Sequence, residues 1–99
     1  MEITQTTVII NKNGGEDNRL KAFATIEIDN CFKIRDLKVI KGNNRLFVSM
    51  PSKQIRPGDY REIVSPLNQE TRNLVEKAVL EEYGKEISKI KSLVEDLDL

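Results

Sequence analysis

Apolar and polar residues alternate with a period of two over most of the first two thirds of the chain, then change to helical spacing. Leu20, Ala22, Ala24, Ile26 and Ile28 take turns with Lys21, Phe23, Thr25 and Glu27, the pattern of a strand with one face buried. A strand from near Ile3 through Val8-Ile9-Ile10 precedes it, and Asn13-Gly14-Gly15-Glu16-Asp17-Asn18 has the composition of the hairpin loop between them. Asp29-Asn30 offers the next turn. Phe32 and Ile34 open a third strand whose apolar phase then shifts to Leu37 and Val39, and a bulge at Arg35-Asp36 accounts for the shift. Gly42-Asn43-Asn44 suits a tight turn, because Gly and Asn tolerate positive φ. Leu46-Phe47-Val48-Ser49-Met50 follows as a fourth strand and Tyr60-Arg61-Glu62-Ile63-Val64 as a fifth. Pro51 has no amide hydrogen to continue a central strand, which predicts an exposed loop over Ser52-Lys53-Gln54-Ile55-Arg56-Pro57-Gly58-Asp59.

Beyond Val64 the period lengthens. Ser65 can cap a helix with Pro66 at its first position, and Asn68 can serve as the cap nearly as well. Leu67, Leu74, Val75, Ala78, Val79 and Tyr83 recur at helical spacing and predict an amphipathic helix that covers the sheet. Gly84 is expected to end or kink it. Ile87, Ile90, Val94 and Leu97 then alternate by three and four, as the packing seam of a second helix or a helical extension. Strands followed by helices indicate the α+β class: a small antiparallel sheet of about five strands, then a carboxy-terminal helix or helices. Residues 1–83 form the main domain in this reading and residues 84–99 a helical extension.

With 99 residues there is room for one domain, and a chain of this size buries a modest share of its surface, so a second subunit would add useful burial. No apolar run approaches the roughly 18 residues of a membrane span, and Met1-Glu2-Ile3-Thr4-Gln5 lacks a basic-then-apolar leader pattern, which together predict a cytoplasmic protein with no membrane contact. Cys31 is the one cysteine and there is no histidine. An intrachain disulfide and a cysteine zinc cluster are therefore impossible, the usual neutral-pH base is missing, and neither a metal nor another cofactor is implied. Asp36, Asp59 and Glu62 are acids without a histidine, a serine-centred elbow or a phosphate-cradling glycine loop to accompany them, so the expectation is a protein that is not an enzyme.

Charge alters this picture by its distribution, since the total is zero. Residues 33–61 hold Lys33, Arg35, Lys38, Lys41, Arg45, Lys53, Arg56 and Arg61 against Asp36 and Asp59, a net of +6. Residues 68–99 hold five cations against eight acids, a net of −3. Segregation of this kind permits a local phosphate-binding face in a neutral protein, although a solvated surface has the same composition. The leading candidates are Lys53, Arg56 and Arg61 as phosphate contacts and Gln54 as a donor to a base edge. The second set is the helix start, Asn68, Gln69 and Arg72, where exposed amides attract phosphate, while Glu70 is better read as an acid stabilising the macrodipole. Lys33 shares a face with Lys38 if the strand bulges near Arg35-Asp36; edge-strand lysines that discourage aggregation are the competing explanation. Phe23, Phe32, Phe47, Tyr60 and Tyr83 could stack on bases as in single-strand binders, but Phe32, Tyr60 and Tyr83 are better read as core, whereas Phe23 and Phe47 fall out of phase with their apolar neighbours and belong at a dimer contact or under the helix. Cys31 reads as a small buried hydrophobe.

Gly42-Asn43-Asn44 with Leu46-Phe47-Val48-Ser49-Met50-Pro51-Ser52-Lys53, the segment from Gly58 to Ile63, and Pro66-Leu67-Asn68 leading to Ala78-Val79-Leu80 resemble the SpoVG family of small bacterial sporulation and septation regulators. The resemblance runs from Met1 to about Tyr83. It implies a homodimer joined by strand pairing between subunits, which binds DNA and RNA and adjusts gene expression without being an enzyme. Where the family often carries Lys-Arg this chain has Lys53-Gln54, with Arg56 as a replacement cation, and Ser65 stands where a histidine often precedes the proline. A non-enzymatic regulatory adaptor of septation, recruiting a protein partner through the helical tail, is the alternative.

Overall fold

The computed structural model describes residues 1–12 and 18–97. Its elements are β1 (Ile3–Ile10), β2 (Leu20–Ile28), β3 (Phe32–Lys41), β4 (Leu46–Ser49), β5 (Ser52–Arg56), β6 (Asp59–Glu62) and α1 (Gln69–Leu97). The first four strands form an antiparallel sheet in the order β1-β2-β3-β4, and β5 and β6 form a separate two-stranded ribbon. The class is α+β, as the run of strands before helical spacing indicates. The turn expected over Asn13 to Asn18 lies, apart from Asn18, outside the described residues, as do the side chains of Val94 and Leu97.

Turn chemistry sets the sheet's register. Asp29 and Asn30 both take positive φ, 52° and 54°, and the Cys31 amide donates to the Ile28 carbonyl across them at 2.8 Å. Two successive left-handed residues give the twist that matches antiparallel strands. The expected bulge in β3 is present. Ala24 pairs with Leu37 and Ile26 with Ile34, so β3 fits three steps against two, and Asp36 absorbs the extra residue at φ 67°. The bulge returns Leu37 and Val39 to the buried face on which Ile34 already lies.

The core consists of Val8, Ala22, Ala24, Ile26, Leu37, Val39, Val48 and Met50 from the sheet and its exit, closed by Val75 and Val79 from α1. Ala22 and Ala24 are buried on the inner face of β2, the helix backbone comes nearest to β1 and β4, and Leu80 and Tyr83 pack at the margin. Asn68 is the helix cap: its Oδ1 accepts from the Thr71 amide at 2.8 Å. Pro66 and Leu67 stay outside the helix, and Leu67, expected in the apolar stripe, is almost wholly exposed. Leu74 is also largely exposed, because the stripe that meets the sheet is centred on Val75 and Val79.

Three further expectations change. Residues 52–56 are a strand, so the chain carries six strands where about five were expected, and the basic segment is one side of a hairpin. Met50 and Pro51 separate β4 from β5, strand structure resumes at Ser52 in the ribbon, and the Pro51 carbonyl accepts from the Ile63 amide at 2.7 Å. Pro57 fixes one φ and Gly58 takes a φ of 80°, so a two-residue connection turns the chain where a longer loop was expected. Cys31 and Phe32 are exposed at the β2–β3 turn, outside the core. Finally, α1 continues through Gly84, whose open surroundings impose nothing on it: a Cβ there would meet no atom within 4 Å. Gly84→Ala is accordingly expected to raise unfolding free energy by about 1 kcal/mol, measured by urea denaturation, through the lower helix entropy cost of alanine.

Candidate nucleic-acid interface

Apart from the side chain of Glu62 at its root, which meets Arg72 of α1, the ribbon of β5 and β6 stands clear of the other strands and the helix among the described residues, and nearly all of it is exposed. Its sequence explains this: Ser52, Lys53, Gln54, Arg56, Asp59, Arg61 and Glu62 leave too little apolar surface to join the core. Register pairs Lys53 with Arg61 and Gln54 with Tyr60. Lys53 and Arg61 therefore lie side by side on one face, and Gln54 sits beside Tyr60 on the other. Neither Lys53 nor Arg61 has a carboxylate within ion-pair distance among the described residues. Arg56 differs, since its Nε meets Asp59 Oδ2 at 3.2 Å near the tip. That pair is exposed and weak, so a phosphate can compete for the guanidinium.

The root of the ribbon is fastened to the helix. Arg72 donates from Nη2 to Glu62 Oε1 at 2.9 Å and from Nη1 to Glu62 Oε2 at 3.2 Å, a bidentate pair. The Ser65 hydroxyl donates to the same Oε1 at 2.7 Å. These hydrogen bonds, Arg72's first and Ser65's second, hold the Glu62 carboxyl below the ordinary carboxylate range, and Glu62 in turn raises the Arg72 guanidinium. Both side chains are about one-third exposed.

Of the residues singled out from sequence, Lys53 and Arg61 come together as an unpaired cationic couple. Gln54 is on the opposite ribbon face, Arg56 is shared with Asp59, and Arg72 is engaged by Glu62. Asn68 spends its side-chain oxygen on the helix cap, and Gln69 Nε2 donates to Asn73 Oδ1 at 2.8 Å. The helix start is tied to the ribbon root through Glu62 and Arg72 all the same. Tyr60, read from sequence as core, is 65% exposed on the ribbon. The signal that could have found it is the polar run Asp59, Arg61 and Glu62 around it, which provides no apolar face for the ring to join.

Comparison with known proteins bears on this arrangement. The SpoVG family model matches residues 1–85. The chain belongs to the SpoVG family. Among proteins named "Putative septation protein SpoVG", that of Bdellovibrio bacteriovorus is 54% identical over 71 residues, covering 72% of this chain and 66% of its own. That of an Anaeromyxobacter species is 46% identical over 90 residues, covering 90% and 88% respectively. That of Caldicellulosiruptor bescii is 42% identical over 88 residues, covering 89% and 97%. The SpoVG match thus spans the sheet, the ribbon and α1 as far as Lys85, and the helix beyond it lies outside the matched range. No helix among the described residues is long and apolar enough to cross a membrane.

The Glu62–Arg72 pair carries a pH dependence whose sign follows from the lowered carboxyl. The unfolded chain binds the proton more readily than the folded one, so the pair's stabilisation is complete above about pH 4.3 and is lost as pH falls through the lower folded value. Glu62→Gln should lower stability at neutral pH by about 1 kcal/mol. Its melting temperature should also fall less than the parent's between pH 6 and pH 3, and equal falls would detach the carboxylate from this role.

Proposed function

We propose that this protein is a non-enzymatic DNA- and RNA-binding regulator, acting as a homodimer that influences gene expression in septation- or sporulation-type processes. The observation that carries the reading is the Lys53–Arg61 couple. Like charges directly opposite on a two-stranded ribbon destabilise it, and a ribbon of this size is marginal in water alone. The arrangement does nothing for the fold, whereas a phosphate seated between the two cations relieves their repulsion and accepts from both. Arg56 adds a third cation near the tip by exchanging Asp59 for phosphate, and Gln54 with Tyr60 offers a hydrogen-bonding and stacking pair on the reverse face.

The same ribbon supports the homodimer. With no third strand beside it in its own subunit among the described residues, and with Ile55, Tyr60 and Ile63 exposed along or beside it, the ribbon gains strand pairing and apolar burial when a second copy supplies its ribbon. Two ribbons related by a two-fold then present two Lys53–Arg61 couples to successive stretches of one nucleic acid. A second reading, a septation adaptor that captures a protein partner, rests on the distal half of α1. Core contacts of the helix end at Tyr83, and Ile90 and Leu93 are exposed beyond it.

The test is fluorescence anisotropy of labelled DNA and RNA across a salt series, with oligomeric state fixed by sedimentation. Affinity should fall as salt rises. Lys53→Ala combined with Arg61→Ala should weaken binding and flatten the logarithmic salt slope by about two per engaged subunit, with the circular dichroism melt held or raised. A folded double variant of unaltered affinity would sink the site. Removal of residues 85–99 is expected to leave nucleic-acid affinity intact; lost affinity would tie the tail to binding and count against its separate role in partner capture.

A further inference from the structure

The four-stranded sheet has two faces, and α1 closes one of them. On the other, register sets side chains in two adjacent rows: Ile9, Phe23, Lys38 and Ser49 across all four strands, and Leu20, Ile40 and Phe47 across β2, β3 and β4. None of these belongs to the core cluster. Ile9 is 65% exposed and Phe23 40%, and no described strand or helix packs over them. The helix is on the far side, so the expectation that Phe23 or Phe47 lies beneath it does not hold. The Phe47 ring instead leans on the turn at Gly42, where an added Cβ would come within 3.3 Å of it.

The charges on this open face are mostly of one sign. The bulge at Asp36 puts Lys33 and Arg35 on the same face as Lys38, because five residues of unbroken strand would have set Lys33 and Lys38 on opposite faces. Glu27, opposite Lys33, is the acid that register places among them, and Asp36 is exposed at the bulge itself. Residues 32–37 pair on one side alone, so Lys33 and Arg35 have an edge-strand explanation. Lys38 has none: it is interior, between Phe23 on β2 and Ser49 on β4.

We propose that this open face is a second binding surface, a platform for single-stranded nucleic acid on which Phe23 stacks against a base while Lys38, Arg35 and Lys33 meet the adjoining phosphates. It rests on the reading of the protein as a nucleic-acid binder and adds the form of nucleic acid that this surface takes. A single strand offers π-faces that a duplex keeps inside its stack, and stacking on an exposed ring tolerates any base. A second copy laid on the same face would carry Lys38 out of water into a layer that includes Phe23, Ile40 and Phe47, where its ammonium costs free energy unless it is paired. A sugar-phosphate chain pairs that charge and leaves it in contact with water.

The experiment compares anisotropy of a fluorescein-labelled fifteen-residue oligothymidylate with a duplex of equal length at low salt. Phe23→Ala should weaken single-strand affinity about tenfold and leave duplex affinity unchanged, Phe23→Tyr should restore it, and Lys38→Ala should weaken it. Lys53→Ala with Arg61→Ala should weaken both substrates. If the parent protein binds neither, the reading of the ribbon fails and the platform with it. If the parent binds and folded Phe23→Ala holds the single strand as tightly, the platform alone is overturned. Conversion of a dimer to a monomer by Phe23→Ala in sedimentation would assign the face to a second copy and would also overturn it.

Discussion

Burial of Val75 and Val79 against the inner face of the four-stranded sheet is the contact on which the rest depends. One helix can cover one face. The helix crosses the sheet with its nearest approach to β1 and β4, over the small side chains of Ala22 and Ala24, and the hydrophobic effect of closing this single layer is what a chain of 99 residues has available for folding. Everything else is arranged around that limit. The opposite face is left open with Ile9 and Phe23 upon it, the ribbon is left without a core of its own, and the helix runs on past Tyr83 into solvent.

The ribbon shows how little holds an element that contributes nothing to the core. It is tied at its root by the Ile63 amide to the Pro51 carbonyl, by Ser52 Oγ to the Met50 carbonyl at 3.0 Å, and by Glu62 to Arg72 and Ser65. Pro51 is buried where the chain leaves the sheet, so the departure angle is set by packing, and the Glu62–Arg72 fork sets the return. Fixing both ends of a hairpin stiffens its orientation while its length remains free to pair with another chain. A pre-oriented arm of this kind loses less entropy on binding than a loose loop of the same residues would.

Much of this was legible in the sequence, and the failures share a cause. The strands of the sheet, the Asp29-Asn30 turn and the Arg35-Asp36 bulge were readable because each is governed by local backbone preference and by the parity of apolar residues against one buried face. The ribbon was not. Parity carries no information where neither face is buried, so the sequence around Pro51 predicts an exposed loop where a strand forms, and it predicts for Tyr60 a core that lies elsewhere. The engagement of Arg72 was likewise illegible, because Glu62 is ten residues away and its approach depends on where the ribbon re-enters. Gly84 misled for the opposite reason: a local penalty of about 1 kcal/mol does not break a helix whose residues on both sides favour continuing.

Neutral total charge is compatible with a polyanion-binding surface here because the acids are distributed by geometry as well as by sequence. Glu76 of α1 holds Arg45, Glu62 holds Arg72, and Asp59 holds Arg56, while Glu82 and Glu86 pair with Lys85 and Lys89 along the helix. Lys53 and Arg61 on the ribbon, and Lys33, Arg35 and Lys38 on the open sheet face, have no such partners among the described residues. At physiological ionic strength the field of an exposed charge is screened within about 8 Å, so an approaching phosphate senses the unpaired cations nearest it and hardly at all the acids at the far end of a molecule 49 Å long. Local pairing, and not the sum over the chain, therefore decides which surfaces attract an anion.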